Sequence, residues 1–217
     1  AYNVQVPSTA FDDASGNSYA GITNATTLNF TSADVVAPTL SSSSPADGAT
    51  SIGVNANIVL TFNETVVAGS GNILISTGSS SDGGFESIPV GNAKVSISSN
   101  VVTINPAGTF ASSTAYNVQI AATAFDDASG NSYAGITNAT TLNFTSADVA
   151  APTMTITATD GSSAVSDGAT TNDATLTVTF TSSEATSNFV VGDITVSGGA
   201  LSSFSATSST VYTATFT

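Results

Sequence analysis

The stretch AYNVQIAATAFDDASGNSYAGITNATTLNFTSADVAAPT at residues 115–153 recurs at residues 1–39 with only four differences. The offset of 114 residues between the two copies is the length of one β-sandwich domain. Near-identity of the copies indicates a recent duplication inside a longer array of repeats. We therefore expect each unit to bury a core of its own and to meet its neighbours end to end.

Alternation of apolar and polar residues predicts the strands of this unit. KVSIS and VVTIN are separated only by Ser99 and Asn100, which predicts a tight hairpin. With a first strand near Leu40 we expect about seven strands, and Tyr116 at the start of the sixth has the position of a tyrosine corner. In the segments NIVLTF, NILIS, AYNVQI and TLNFT the predicted inward residues are Ile58, Leu60, Phe62, Ile73, Ile75, Tyr116, Val118, Ile120, Leu142 and Phe144.

Domain boundaries are predicted where SADVVAPT and SADVAAPT follow a strand, because Pro38 and Pro152 stop regular pairing. Residues 1–36 are then the last two strands of a preceding repeat, 37–150 a complete repeat, and 151–217 the first part of a different repeat. In that last part MTITAT, TLTVTF, DITVSG and VYTATFT are predicted strands. Such short linkers predict a stiff array.

The amino-acid composition lacks most of the side chains that enzymes use for catalysis. The chain has fifteen acids, one Lys, no Arg, no His and no Cys, for a formal net charge of −14. Without imidazole or thiol groups, an enzyme would depend on carboxylates alone, and we expect none. Such an acidic surface disfavours nucleic acid and anionic lipid as partners. No apolar run approaches the roughly 18 residues of a membrane span, so we expect no membrane insertion of this segment.

Several segments resemble the bacterial Ig-like repeats of large surface proteins, including giant adhesins and S-layer proteins. NIVLTFNETV, AYNVQI and TAFDDASGNSYAG followed by LNFT carry the resemblance in the first repeat, and APTMTITATD with LTVTFTSSEATSNFVVGDITVSGG resembles a second repeat type. The resemblance covers nearly the whole chain. It implies an all-β protein of tandem Ig-like β-sandwich domains at the cell surface or secreted.

In an Ig-like sandwich the second and sixth strands run toward the same pole, where the incoming linker also arrives. We expect Asp34, Glu64, Asp126 and Asp127 to meet there, with Asn131 as a further oxygen ligand. Four carboxylates without cations repel one another unless a metal neutralises them, and Ca²⁺ prefers such oxygen ligands. The alternative is that DDASGN is a solvated turn, since Asp, Ser, Gly and Asn are common turn residues.

At the next junction Asp148 and Glu184 correspond to Asp34 and Glu64, and we expect the loop that would supply the paired acids to lie beyond Thr217. The leading functional interpretation is a structural array, either an adhesin stalk or a cell-surface filament, whose partners are neighbouring repeats and other copies. The alternatives are a module that binds polysaccharide or a host surface, and an S-layer assembly domain.

Overall fold

The protein is described by a computed structural model that covers residues 1–217 and consists almost entirely of β-strands. It forms two compact units, residues 1–148 and residues 149–217. The only helical element is a short 3₁₀ turn at Val191–Asp193. No helix has the length and apolar character that crossing a membrane requires.

The first unit contains thirteen strands, several of them only two residues long. They are β1 (Tyr2–Asn3), β2 (Asn29–Phe30), β3 (Leu40–Ser44), β4 (Ala49–Ile52), β5 (Ile58–Phe62), β6 (Val67–Ala68), β7 (Asn72–Thr77), β8 (Glu86–Pro89), β9 (Val95–Ser98), β10 (Val101–Ile104), β11 (Ala115–Ile120), β12 (Phe125–Asp126) and β13 (Asn143–Ser146).

Two sheets form the sandwich of residues 37–148. One has the order β3-β5-β10-β9, the other the order β4-β13-β11-β7-β8, and β12 pairs with β6 in a separate ladder. The strand order within each sheet is that of an Ig-like sandwich, which confirms the predicted fold. Nine strands form the two sheets where about seven were expected. One addition is β4, because the entering chain pairs first with β5 and then in parallel with β13. The other is β8, which pairs with β7 at the edge of the second sheet.

The core lies between these two sheets, and every inward residue predicted from the alternation is buried. Full burial of an aliphatic or aromatic side chain contributes about 1.5–3 kcal/mol, so each residue of the two facing rows stabilises the sandwich by an amount of that order. The predicted hairpin is confirmed as well: β9 and β10 pair across Ser99 and Asn100, with Ser99 in the left-handed region at φ 57°.

Tyr116 forms a tyrosine corner, as expected from its position. Its ring is buried against Phe110 and Phe144. Its hydroxyl accepts a hydrogen bond of 2.8 Å from the backbone N–H of Ala111, five residues upstream. The corner therefore fixes the connection that enters β11.

Residues 1–33 reproduce the pairing of residues 115–147 at an offset of 114. The backbone of each copy makes these contacts without help from the other. The corresponding pairs are Tyr2–Phe30 and Tyr116–Phe144, Val6–Ile22 and Ile120–Ile136, and Asp12–Ser18 and Asp126–Ser132. The local hairpin is thus specified by its own sequence.

The second unit is one five-stranded sheet of order β15-β14-β16-β18-β17. A small core around Phe180, Tyr212 and Ala214 lies on it, and Phe189 and Ile194 of the segment after β16 contact this core. The strands are β14 (Met154–Thr159), β15 (Ala164–Val165), β16 (Leu176–Ser182), β17 (Leu201–Ala206) and β18 (Val211–Phe216).

Three of the four strands predicted for this unit are confirmed, and the strand DITVSG is wrong. The Asp193 carboxylate accepts a hydrogen bond from the Val190 N–H, and the N–H groups of Asp193 and Ile194 bond to carbonyls three residues earlier. Local hydrogen bonds therefore outcompete sheet pairing here. The edge strand is Leu201–Ala206 instead.

We predict that Tyr116→Phe lowers the free energy of unfolding by about 1 kcal/mol, the usual net contribution of one hydrogen bond, because the Ala111 N–H loses its acceptor. Urea denaturation measures this. Tyr2→Phe is the matched control, since Tyr2 occupies the same position of the first copy but is 57% exposed. Equal effects of the two substitutions would contradict the assignment.

Candidate metal centre

The carboxylate of Asp127 organises the loop between β12 and β13. One oxygen accepts hydrogen bonds of 2.8 Å from the N–H groups of Ser129 and Asn131. The other accepts a bond of 2.7 Å from the Asn131 side-chain amide. Gly130 completes the turn at φ +87°, a conformation that favours glycine.

The first copy contains the same turn around Asp13. Its carboxylate accepts bonds of the same lengths from the N–H groups of Ser15 and Asn17 and from the Asn17 amide. Asp13 is exposed, whereas Asp127 is buried. The turn is therefore a local product of the sequence, and only its surroundings differ between the copies.

Aromatic packing brings this loop to the end of β5. The Phe62 ring lies 5.5 Å from Phe125 and 5.1 Å from Tyr133, measured between centroids. All three rings are buried. Because Glu64 follows Phe62 by two residues, this packing places Glu64 beside the Asp127 turn.

The linker that carries Asp34 is fastened to the same pole. The Asn131 amide donates a bond of 3.2 Å to the Asp34 carbonyl. The Thr39 N–H donates to the Asn63 side chain at 2.6 Å, and the Asn63 N–H donates back to the Thr39 carbonyl. Asn63 is not among the residues predicted from the sequence, although its position directly after a strand and before Glu64 is a signal for such a clamp.

Three carboxylates converge as a result, those of Asp34, Glu64 and Asp127. One oxygen from each lies within 4.8 Å of the others. Asp34 is exposed, Glu64 is half-buried and Asp127 is buried. Ca²⁺ takes oxygen ligands at about 2.3–2.6 Å, so oxygens on opposite sides of one ion are separated by about 5 Å or less. The spacing of this group, which we call the acidic cluster, is compatible with one shared cation.

The other predicted ligands lie outside the acidic cluster. Asp126 accepts a bond of 2.6 Å from the Ser132 hydroxyl. Asn131 lies beside the cluster but directs its amide N–H groups to Asp127 and Asp34 rather than an oxygen. Asp148 accepts a bond from the Ser112 hydroxyl at the end of the first unit. Glu184 follows β16 in the second unit and is half-buried.

No protein cation balances the acidic cluster. Lys94, the one basic side chain of the sequence, forms an ion pair with Glu86 on β8, and the second oxygen of Glu86 accepts a bond from the Ala107 N–H. Three carboxylates this close repel one another unless water or a cation separates them. The donor set, made only of hard oxygens, suits Ca²⁺.

Hydrogen bonds lower the pKa of Asp127. The largest cause is the Asn131 side-chain amide, and the N–H groups of Asn131, Ser129 and Gly130 add to it, while burial opposes them. The pKa of Asp13 is lowered in the same way, with the Asn17 amide as the first cause. Both turns therefore favour the ionised carboxylate, the form that binds cations.

Two family models match the chain. One, described as bacterial Ig-like domain, matches residues 34–146, which is more than half of the chain. A second model of the same description matches residues 148–217. No curated protein matches the chain.

We predict that Asn131→Ala raises the pKa of Asp127 toward 3.8, the ordinary value for Asp, and that Asn17→Ala does the same for Asp13. Carbon-13 NMR of the carboxyl groups measures both. Because the folded pKa lies below the unfolded one, each turn's stabilisation is complete above the unfolded pKa and is lost as pH falls through the folded pKa. A titration of Asp127 unaffected by Asn131→Ala would contradict this assignment.

Proposed function

The chain belongs to the bacterial Ig-like domain family, and from this premise we propose that it is a structural repeat segment of a long extracellular surface protein. Its role is to supply length and stiffness to an adhesin stalk or a cell-surface filament. Near-identical copies of one 39-residue stretch, 114 residues apart, support this role, because a repeated unit adds length without adding new chemistry. The absence of His and Cys from the sequence accords with a role without catalysis.

The observation that carries the proposal is the composition of the acidic cluster. Asp34 belongs to the linker that leaves the first copy, whereas Glu64 and Asp127 belong to the loops of the next repeat. A cation held by all three would tie the linker to the domain that follows it. The same residue type recurs at Asp148, the equivalent of Asp34 in the second copy.

We propose Ca²⁺ as this cation, with Asp34, Glu64 and Asp127 as its carboxylate ligands. When bound, Ca²⁺ supplies positive charge that offsets the repulsion among the three acids. The protein's part is to hold the ligands in place: Asn131 orients Asp127 and contacts the Asp34 carbonyl, and Asn63 fixes the linker. Asp126 has a structural part instead, through Ser132.

The surface of residues 37–148 favours the function of a spacer rather than that of a polysaccharide-binding module. Among its large hydrophobic side chains only Val67 is exposed, and none of its aromatic rings is. Ligand sites are usually lined by accessible aromatic and apolar side chains. The exposed rings of residues 1–33 are the counterparts of core residues and so do not indicate a sugar site. An S-layer assembly domain remains the alternative within the same structural class.

We predict that millimolar Ca²⁺ raises the melting temperature of the chain relative to excess EDTA, because a ligand that binds only the folded state stabilises it. At ten times the dissociation constant the gain is about 1.4 kcal/mol, and each kcal/mol is worth roughly 4–8 °C in a domain of about 100 residues. Asp127→Asn removes one ligand charge and should abolish the shift, measured by calorimetry.

Two control variants test whether the response to Ca²⁺ comes from the acidic cluster or from the Asp turn itself. Asp13→Asn changes the same turn in the first copy, and Asp126→Asn changes the neighbouring acid outside the cluster. Both should keep the response to Ca²⁺. Identical melting curves with Ca²⁺ and with EDTA in the unmodified chain would remove the metal from the proposal and leave the structural role to packing alone.

A further inference from the structure

Five Asn-X-Thr triplets occur in the sequence, and this is the pattern at which transferases attach a sugar to an asparagine side chain. They begin at Asn24, Asn29, Asn63, Asn138 and Asn143, and none has Pro in the middle. The sequence alone does not rank the triplets, because matches are frequent in a chain this rich in Asn and Thr. Their hydrogen bonds in the folded protein differ, and these bonds separate them.

Asn138 lies in the loop between the bridge at Ile136 and β13, and it is exposed. Its side-chain oxygen accepts bonds of 3.0 Å from the Thr140 N–H, 2.9 Å from the Thr140 hydroxyl and 2.9 Å from the Thr141 hydroxyl. Its Nδ2 group donates to no group of the protein. The amide therefore has an occupied oxygen and a free nitrogen.

This arrangement favours reaction at the amide nitrogen. An amide nitrogen is a weak nucleophile, because its lone pair is shared with the carbonyl group. Hydrogen-bond donors at the oxygen stabilise the negative charge that develops there as the nitrogen loses a proton. Asn138 combines three such donors with an accessible nitrogen.

Asn143 has the opposite arrangement. It is half-buried in β13, where its backbone N–H and its Nδ2 both donate to the Asp47 carboxylate, at 3.0 Å and 2.7 Å. Thr145, the third residue of this triplet, pairs with Ala115 in the sheet. Modification of Asn143 would have to break a bond to a charged group and disturb the strand.

Asn63 is held by the clamp that fastens the linker. Its side-chain oxygen accepts the bond of 2.6 Å from the Thr39 N–H, and its own N–H donates back to the Thr39 carbonyl. The hydroxyl of Thr65 bonds to the Ser99 hydroxyl at 3.2 Å instead of to Asn63. The triplet at Asn63 therefore has the sequence of an acceptor without the arrangement of Asn138.

The arrangement of Asn138 recurs 114 residues earlier. Asn24 accepts bonds of 3.0 Å and 2.9 Å from the N–H and hydroxyl of Thr26, and of 2.8 Å from the Thr27 hydroxyl. Asn138 is the position that carries the proposal, because the sandwich of residues 37–148 surrounds it. Each copy of the repeat then contains one acceptor of this kind.

We propose that Asn138, and its counterpart in each copy of the repeat, is an acceptor site for an N-linked sugar. Its Nδ2 attacks C1 of a sugar whose C1 oxygen carries a diphosphate leaving group. The N–C1 bond forms, the C1–O bond to the diphosphate breaks, and a base of the transferase takes the Nδ2 proton. Attached sugars are bulky and solubilising, so they would cover and hydrate a surface with few charges. The site is independent of Ca²⁺ and goes beyond the structural role.

The test uses the full folded chain and two sources of activated sugar. One arm contains UDP-glucose with a soluble asparagine glycosyltransferase, and the other a lipid-diphosphate oligosaccharide with a membrane oligosaccharyltransferase. Because residues 13–33 and 127–147 have the same sequence, Asn24→Gln with Asn29→Gln removes the triplets of the first copy. Mass spectrometry of peptides should then find one sugar, on Asn138, in at least one arm. The unmodified chain should carry a second one, on Asn24.

The triplets at Asn63 and Asn143 are the matched controls within the same chain. In the folded protein Asn143 should react roughly ten- to a hundred-fold more slowly than Asn138, the equivalent of one hydrogen bond to a charged group. Short peptides that contain Asn63 or Asn143 should react readily, because the clamp and the strand are then absent. Thr140→Val should abolish modification of Asn138.

Two results would overturn the proposal. One is a folded chain in which neither arm attaches a sugar to Asn138. The other is a folded chain in which Asn63 and Asn143 react as fast as Asn138, which would show that the hydrogen bonds of the fold do not select the acceptor.

Discussion

Burial of the apolar face of residues 115–147 against residues 37–114 is the interaction on which the rest of the first unit depends. The two copies of the hairpin separate local from tertiary effects, because they share sequence, strand register and the Asp turn. The two copies differ in the burial of their apolar side chains: the rings of Phe11 and Tyr19 are exposed, and those of Phe125 and Tyr133 are buried. Local hydrogen bonds thus shape the hairpin, and hydrophobic burial makes it part of a domain.

The same burial assembles the acidic cluster. Phe125 and Tyr133 pack on Phe62, and this contact sets the Asp127 turn beside Glu64. The Asp13 turn has identical internal hydrogen bonds but no such neighbours, so the turn alone does not gather carboxylates. The packing of the core beneath this pole holds the three carboxylates close together despite their mutual repulsion. A cation bound here would offset the electrostatic energy that the three carboxylates cost in the free protein.

The core strands and the pole at which the acidic loops meet could be predicted from sequence. Alternation identifies inward residues such as Ile58, Leu60 and Phe62, and the strand directions of an Ig-like sandwich determine which loops share a pole. The sequence did not separate Asp126 from Asp127, although neighbours in an extended segment point to opposite sides. It also did not reveal that Asn131 directs N–H groups to the carboxylates, since that depends on the folded turn. The predicted strand DITVSG is wrong because its alternation is strand-like whereas Asp193 closes a local turn.

We propose that a cation shared between the linker and the next domain stiffens the array. Small-angle X-ray scattering of four tandem copies of residues 37–150, with Ca²⁺ and with chelator, tests it most directly. In such an array Asp148 of each copy takes the place of Asp34 before the next Glu64 and Asp127. We expect a greater maximum dimension with Ca²⁺, and a shorter, broader distribution of distances in chelator while the domains stay folded. The same maximum dimension in both conditions would contradict the claim and assign stiffness to packing at the linkers.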